Sequence, residues 1–324
     1  MTPRPTASVS LDLDNLWAYL KTHGDPAWES RPSFLPTAVP RLLEALGGHG
    51  LRSTVFVVGA DAARDDGAAA VAAFHAAGHE VANHSWGHEP WLHRYSPAEL
   101  EAEVVDTGDA IVAAGAPRPV GFRGPGFSLT PGLVRVLDRH GYTYDSTALP
   151  TWIGPLARAF HNRSAATTDA GELFGPVSDA VGPLRPHVWS GTGVLELPVT
   201  TMPLARVPIH GSYLLQLHQA SPRLALTYFR TALRLCLLRG VEPTFLLHPT
   251  DVLDATEAPG MAFFPGMAVP GPEKARLLTA VLDMLRERFD VVGTGEHAAR
   301  IRARAGFATR DVARAGSRPE QVPA

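Results

Sequence analysis

An alternating run near the N-terminus, ASVSLDLD at residues 7–14, has the pattern of a β-strand and ends in two carboxylates, Asp12 and Asp14. Because side chains alternate along a strand, both carboxylates point to the same side. Two acids on one face repel each other unless a cation or a shared proton relieves them. By themselves, the two residues could equally be a helix cap and a solvated acid.

Short apolar runs alternate with helical patterns over most of the chain, which is typical of parallel βαβ units. The predicted strands cover residues 7–13, 53–58, 80–83, 119–123, 143–145, 194–199, 244–247 and 290–292. Seven or eight such strands predict the α/β class, with a distorted (β/α)7-type barrel that is closed or nearly closed. Ser96-Pro97-Ala98-Glu99 is typical of a helix start, and this helix should run to about Ala114.

The barrel is expected to cover residues 1–300, with a long specificity insertion at about 150–240. Residues 150–190 are rich in Pro, Gly and polar residues, and an Arg-studded apolar helix is predicted at 223–238. After His297 the sequence is rich in Arg and Ala and poor in aromatic residues. We therefore expect residues 301–324 to be a flexible C-terminal tail.

Composition excludes several classes of protein. The 324 residues are 45% hydrophobic and carry a net charge of −3, which gives no indication of a nucleic-acid partner. A single Cys beside 14 His excludes a disulfide framework and a multi-Cys zinc site, so a metal would need His and carboxylate ligands. No membrane span is expected because no 18-residue apolar run exists. The N-terminus lacks a charged region followed by an apolar run, so a cytoplasmic enzyme is expected.

Three further motifs follow predicted strands. His84 and His88 are four residues apart and can meet one metal ion if the segment makes a single turn, although two polar loop residues are the simpler alternative. Arg123 precedes a Gly/Pro loop that contains Gly126, and His248 ends the apolar strand before Pro249. Active sites of parallel barrels collect at the C-terminal ends of the strands.

The order and spacing of these motifs resemble the polysaccharide deacetylases of carbohydrate esterase family four, which contain the NodB-homology domain. Surrounding stretches at 53–59, 76–88 and 140–147 resemble the same family. The resemblance covers roughly residues 7–146 and 241–297. Many members have two adjacent Asp followed by Gly, whereas Asp12-Leu13-Asp14 resembles an Asp-x-Asp branch that includes some peptidoglycan deacetylases and lipid-linked aminoarabinose deformylases. Gly126 stands where many members have Tyr.

The resemblance implies one divalent metal ion, with Zn²⁺ expected and Co, Ni or Fe also suited to the ligands. It implies three metal ligands, namely Asp14, His84 and His88. It also implies that Asp12 is the catalytic base and His248 the general acid, that Arg123 orients Asp12, and that the Gly126 N–H contacts the oxyanion. Either Asp145 or Asp251 could support His248. Substrate contacts are expected from Trp86, Trp152, His210 and Tyr213.

The implied function is removal of an N-acetyl group from an amino sugar, with a small, lipid-linked or secondary-metabolite glycoside as the N-acylated substrate. A related C–N hydrolase, such as a deformylase or a ureide-ring opener, is one alternative. A non-catalytic sugar-binding module is another, although such a module would not need Asp12, Asp14, His84, His88 and His248 together. The sequence leaves the oligomeric state open.

Overall fold

The computed structural model describes residues 4–153, 182–304, 306 and 308–315. The strands are β1 (Thr6–Leu13), β2 (Thr54–Val57), β3 (Glu80–Asn83), β4 (Gly121–Phe122), β5 (Tyr144–Asp145), β6 (His187–Trp189), β7 (Leu195–Glu196), β8 (Thr244–Leu247), β9 (Asp290–Val292) and β10 (Ala308–Arg310). The α-helices are α1 (Leu16–His23), α2 (Leu35–Gly48), α3 (Gly59–Ala62), α4 (Asp65–Ala76), α5 (Pro97–Ala113), α6 (Pro131–Arg139), α7 (Gly211–Ala220), α8 (Pro222–Arg239), α9 (Gly271–Arg288) and α10 (Thr294–Arg302). None of these helices is long and apolar enough to cross a bilayer.

The strands form one curled sheet in the order β10-β6-β7-β5-β4-β3-β2-β1-β8, and β9 also pairs with β1. All neighbours are parallel except β6 and β7. Within the described ranges no pairing joins β8 to β10, so the sheet is a half-barrel. The predicted α/β barrel class is confirmed, and the opening lies between β8 and β10.

Strand β1 is buried along its whole length because it has neighbours on both sides and helices behind it. Its apolar side chains, Ala7, Val9, Leu11 and Leu13, join the main core with the surrounding helices. Its alternate side chains are polar, and Ser10 and Asp12 contact Arg123. The alternation seen in the sequence therefore separates two faces of β1. The apolar face packs against the core, and the polar face contacts Arg123.

The predicted helix start at Ser96 is confirmed, with α5 beginning at Pro97 and ending at Ala113. The Glu99 N–H donates to Ser96 Oγ at 3.3 Å, and the Ser96 N–H donates to Glu99 Oε2 at 2.7 Å. Both residues lie within one helical turn, so the four-residue motif was sufficient to predict this capping box. The helix predicted at 223–238 corresponds to α8.

The structure differs from the predicted organisation in two regions, the insertion and the C-terminal tail. Residues 308–310, assigned above to a flexible tail, form the edge strand β10 beside β6, and Ala315 is buried. The expected insertion at 150–240 contains β6, which was not predicted, beside β7, which lies within the strand predicted at 194–199, and both join the sheet. Much of the remaining insertion, residues 154–181, and the end of the tail, residues 316–324, lie outside the described residues. Strands β6 and β10 were obscured because the Arg-rich and Pro/Gly-rich composition around them is typical of loops.

Candidate metal and catalytic site

Asp14, His84 and His88 meet at the C-terminal ends of β1 and β3. Asp14 Oδ1 lies 3.2 Å from His84 Nε2 and 3.1 Å from His88 Nε2. One ligand atom from each residue falls within 4.8 Å of the others, and no other such group of three occurs in the described ranges. Parallel strands bring these side chains together because their carboxyl ends share one edge of the sheet.

His84 and His88 do not lie on a helical turn. Residues 84–88 form a loop in which Ser85 (φ +59°) and His88 (φ +49°) adopt left-handed backbone conformations. Non-glycine residues in this region store strain and need support from their surroundings. The loop gains that support from the Ser85 N–H, which donates to Asn83 Oδ1 at 2.8 Å.

Glu103, which lies on α5, contacts the loop between His84 and His88, and no motif in the sequence indicated this contact. Its Oε2 accepts the N–H groups of Trp86 and Gly87 at 2.6 and 3.0 Å. Burial raises the pKa of Glu103, and these backbone donors partly offset the increase. The available signal was a carboxylate among the buried positions of α5, beside Leu100 and Val104.

A hydrogen bond to the backbone orients the His84 ring within the triad. His84 Nδ1 donates to the Arg123 carbonyl oxygen at 2.7 Å, which leaves Nε2 as the acceptor that faces Asp14. Burial alone would raise the pKa of Asp14, but His88 and His84 hold it well below its usual value. The result is an ionised carboxylate beside two imidazoles.

Asp12 lies next to this triad and is held by Arg123. The Arg123 guanidinium donates from Nη1 to Asp12 Oδ1 at 2.6 Å, and both side chains are buried. Nη1 also donates to Ser10 Oγ at 2.9 Å. Asp12 Oδ2 lies 3.9 Å from His84 Nε2, so Asp12 and the triad lie close together in the fold.

His248 reaches the same place from β8. Its Nε2 lies 4.0 Å from Asp12 Oδ2 and 4.0 Å from Asp14 Oδ2. Gly126 lies in the turn Pro125–Phe127 that follows Arg123, with φ +59°. A Cβ at this glycine would lie 2.6 Å from Pro90 Cβ, so the loop at 90 and the turn approach too closely for a side chain.

Of the two carboxylates considered for His248, the structure brings only Asp251 to it. The His248 N–H donates to Asp251 Oδ2 at 2.9 Å, and Ser212 Oγ donates to Asp251 Oδ1 at 3.1 Å. Asp145 lies instead opposite Glu196 in the β5–β7 pair. Burial and the charge of Asp145 raise the pKa of Glu196 well above its usual range.

The predicted substrate contacts lie in different surroundings. The half-buried His210 ring has its centroid 6.3 Å from that of His248, and Tyr213 is 6.3 Å from His210. Burial and the charge of His248 lower the pKa of His210 to about 3, so its ring is neutral. Trp86 packs against buried apolar residues near Val58, whereas Trp152 is 48% exposed and donates from Nε1 to the Ala205 carbonyl at 2.6 Å.

Comparisons with known proteins show what the sequence and the fold are similar to. Residues 11–144 match the family model described as "Polysaccharide deacetylase". A proposed polysaccharide deacetylase from Mycobacterium smegmatis has a solved structure that is 20% identical, with a TM-score of 0.64, and the match covers 99% of this chain and 96% of that one. This likeness establishes the shared fold.

Two more distant structures were also found. A family 4 carbohydrate esterase from Streptomyces lividans, in complex with acetate, is 16% identical with a TM-score of 0.46 and coverage of 89% and 91%. A family 4 acetyl xylan esterase from Clostridium thermocellum, in complex with a cobalt ion, is 16% identical with a TM-score of 0.47 and coverage of 92% of each chain. Residues 11–144, which contain the triad, Asp12 and Arg123, are therefore similar to the polysaccharide deacetylase family.

Proposed function

We propose that this protein is a metal-dependent hydrolase that removes the N-acetyl group from an amino sugar. The observation that carries the proposal is the convergence of the Asp14, His84 and His88 triad with Asp12 and His248 at one edge of the sheet. A carboxylate, two imidazoles and two further titratable groups within about 4 Å supply ligands, a base and an acid for amide hydrolysis.

The three ligand residues fit a divalent metal ion. In a tetrahedral site with ligand bonds of about 2.0–2.2 Å, ligand atoms lie roughly 3.3–3.6 Å apart. The Asp14 oxygen lies 3.1–3.2 Å from the two Nε2 atoms, and His84 Nδ1 already donates to a carbonyl, as metal-binding imidazoles commonly do. Zn²⁺ is our first candidate, and the same donor set suits Co, Ni or Fe. When bound, such an ion polarises the acyl carbonyl and favours ionisation of water.

Four residues of the chain have proposed roles in the proton transfers and in stabilising charge. Asp12 accepts the proton of the attacking water, and Arg123 fixes the direction of its carboxylate. The Gly126 N–H is the proposed donor to the negative charge that develops on the carbonyl oxygen, and loss of such a donor typically costs roughly 3–4 kcal/mol. His248 protonates the departing amine. These roles are the ones that the family resemblance implies.

The substrate in this proposal is an N-acylated sugar, with a small, lipid-linked or secondary-metabolite glycoside as the natural form. His210 and Tyr213 stand beside His248 and are proposed to contact the sugar. Trp152, exposed at the border of the segment 154–181, is proposed as a further contact. Trp86, which is partly buried against the core, is also proposed as a contact.

One experiment tests the function directly. Metal content is measured on the purified chain, and N-acetylated glycosides are then incubated with the protein before and after chelation. Release of acetate that stops on chelation and returns with Zn²⁺ is the expected result, and Asp14→Ala should lose both metal and activity. Release of formate would identify a deformylase. Binding of sugars without any hydrolysis would identify a binding module, and unchanged hydrolysis after metal removal would refute the proposal.

A further inference from the structure

Ser212, in the first turn of α7, links the imidazole of His248 to Asp251. Ser212 Oγ lies 3.3 Å from His248 Nδ1 and 3.1 Å from Asp251 Oδ1. Ser212 is 6% exposed and Asp251 4% exposed, so water cannot replace either partner freely. No direct hydrogen bond joins the Asp251 carboxylate to the His248 ring in the described part of the chain; the carboxylate binds the His248 backbone instead.

The chemistry of the three groups fixes the direction of these hydrogen bonds. Burial raises the pKa of Asp251, and the charge of Lys274 and the donors from His248 and Ser212 act against that rise by favouring the ionised form. The ionised carboxylate only accepts, so the Ser212 hydroxyl donates its proton to it. Its oxygen then has lone pairs left to accept a proton from His248 Nδ1. This arrangement keeps the proton on Nδ1 and turns Nε2 toward Asp12 and Asp14, each 4.0 Å away.

The surrounding structure is built around this link. Gly211 has no side chain where Asp251 packs, and a Cβ there would lie 2.1 Å from Asp251 Oδ2. Lys274, which is 1% exposed, donates from Nζ to the carbonyl oxygens of Thr250 and Leu253. The loop that carries Asp251 is thus hydrogen-bonded to Lys274 of α9 and packs tightly against Gly211 of α7.

We propose that Ser212 is a positioning residue for His248: its hydroxyl is hydrogen-bonded to Asp251 and keeps a proton on Nδ1, so that the proton which the imidazolium gives to the amine leaves from Nε2 and the neutral ring that remains is the Nδ1–H form. The inference rests on the proposed function, because His248 is there the donor of a proton to the leaving amine. It gives a role to a segment, residues 201–240, that matches no family motif.

The kinetic test uses two leaving groups and the full chain loaded with Zn²⁺. N,N′-diacetylchitobiose has an amine leaving group that requires a proton, whereas 4-nitrophenyl acetate releases a phenolate that does not. We expect Ser212→Ala to lower kcat for the amide about 10–100-fold with KM unchanged, and to leave ester hydrolysis within threefold. A matched control is Ser53→Ala, since Ser53 makes a similar hydroxyl contact with His79 at 3.0 Å, at the opposite end of the strands. Equal losses on both substrates, or no loss on the amide, would overturn the proposal.

A spectroscopic measurement keeps the test independent of substrate choice. Long-range ¹H–¹⁵N spectra of the Zn²⁺-loaded protein report which ring nitrogen of His248 carries the proton, with His248→Gln identifying the signal. The wild type should show the Nδ1–H form, and Ser212→Ala should show a mixture. An unchanged spectrum in Ser212→Ala refutes the role of Ser212, whereas a wild type that hydrolyses neither amide nor ester refutes the proposed function separately.

Discussion

Arg123 Nη1 donates to Asp12 Oδ1 at 2.6 Å across the interior of the half-barrel. The same guanidinium donates to Ser146 through Nε and Nη2, so it ties β1 to the residue after β5. Its side chain is fully buried and stacks 4.2 Å from the Phe56 ring centroid. A single cation therefore both balances the charge of Asp12 and joins two parts of the sheet.

Replacing Arg123 by Met should destabilise the protein by about 3–5 kcal/mol, because it leaves a buried carboxylate without its partner. The measurement is urea unfolding at neutral pH. Arg118→Met is the matched control, since Arg118 pairs with Asp109 on the surface, where both side chains are about 60% exposed. That control should change stability by less than about 1 kcal/mol. Similar losses in the two variants would contradict a special role for the buried pair.

Gly126→Ala should reduce both stability and acetate release. The substitution meets two obstacles, the positive φ of +59° and the contact with Pro90. Gly50→Ala isolates the first obstacle, because Gly50 has φ +62° and open space around its Cβ position. We expect a cost of about 1–2 kcal/mol for Gly50→Ala and about 1–3 kcal/mol more for Gly126→Ala. Equal thermal unfolding of the two variants would show that the turn can move away from Pro90.

Glu103→Gln should weaken metal binding about 10–100-fold. Loss of a residue that orients the metal ligands through hydrogen bonds typically has an effect of this size. The neutral amide accepts more weakly from the N–H groups of Trp86 and Gly87, so the loop with His84 and His88 loosens. Competition with a chromophoric chelator measures the affinity. Glu101→Gln, on the exposed side of the same helix, should leave it unchanged. If both variants bind Zn²⁺ like the wild type, Glu103 does not support the site.

Folding stability should fall as pH decreases from about 6.5 to about 4, partly through His187. Burial lowers the pKa of His187 from 6.5 to about 4, so the unfolded chain takes up a proton in this range while the folded chain does not. Stability therefore rises with pH here, and the full difference is about 3 kcal/mol. His187→Gln should flatten the pH dependence of urea unfolding, whereas His75→Gln, at an exposed site, should not. An unaltered slope in His187→Gln would refute this assignment.

Local patterns were sufficient for much of the fold. The alternation in β1 and the cap of α5 each involve residues within a few positions of one another. Both features can therefore be recognised from a short stretch of sequence. The boundaries of β4, β5 and β7 were less predictable. These strands are only two residues long because their pairing ends where the sheet curls, which is a property of the whole barrel.

The sequence by itself determined the α/β class and the residues that converge on the site, because each follows a strand and parallel strands end at a common edge. Only the tertiary structure decided that Asp251, and not Asp145, contacts His248, and that Ser212 lies between the Asp251 carboxylate and the His248 ring. It also decided that Glu103 accepts backbone N–H groups of the loop at residues 84–88. These contacts join helices to loops far away in the chain, and they depend on how each helix packs against the sheet. Such packing is set by the sum of many buried contacts, so no short motif encodes it.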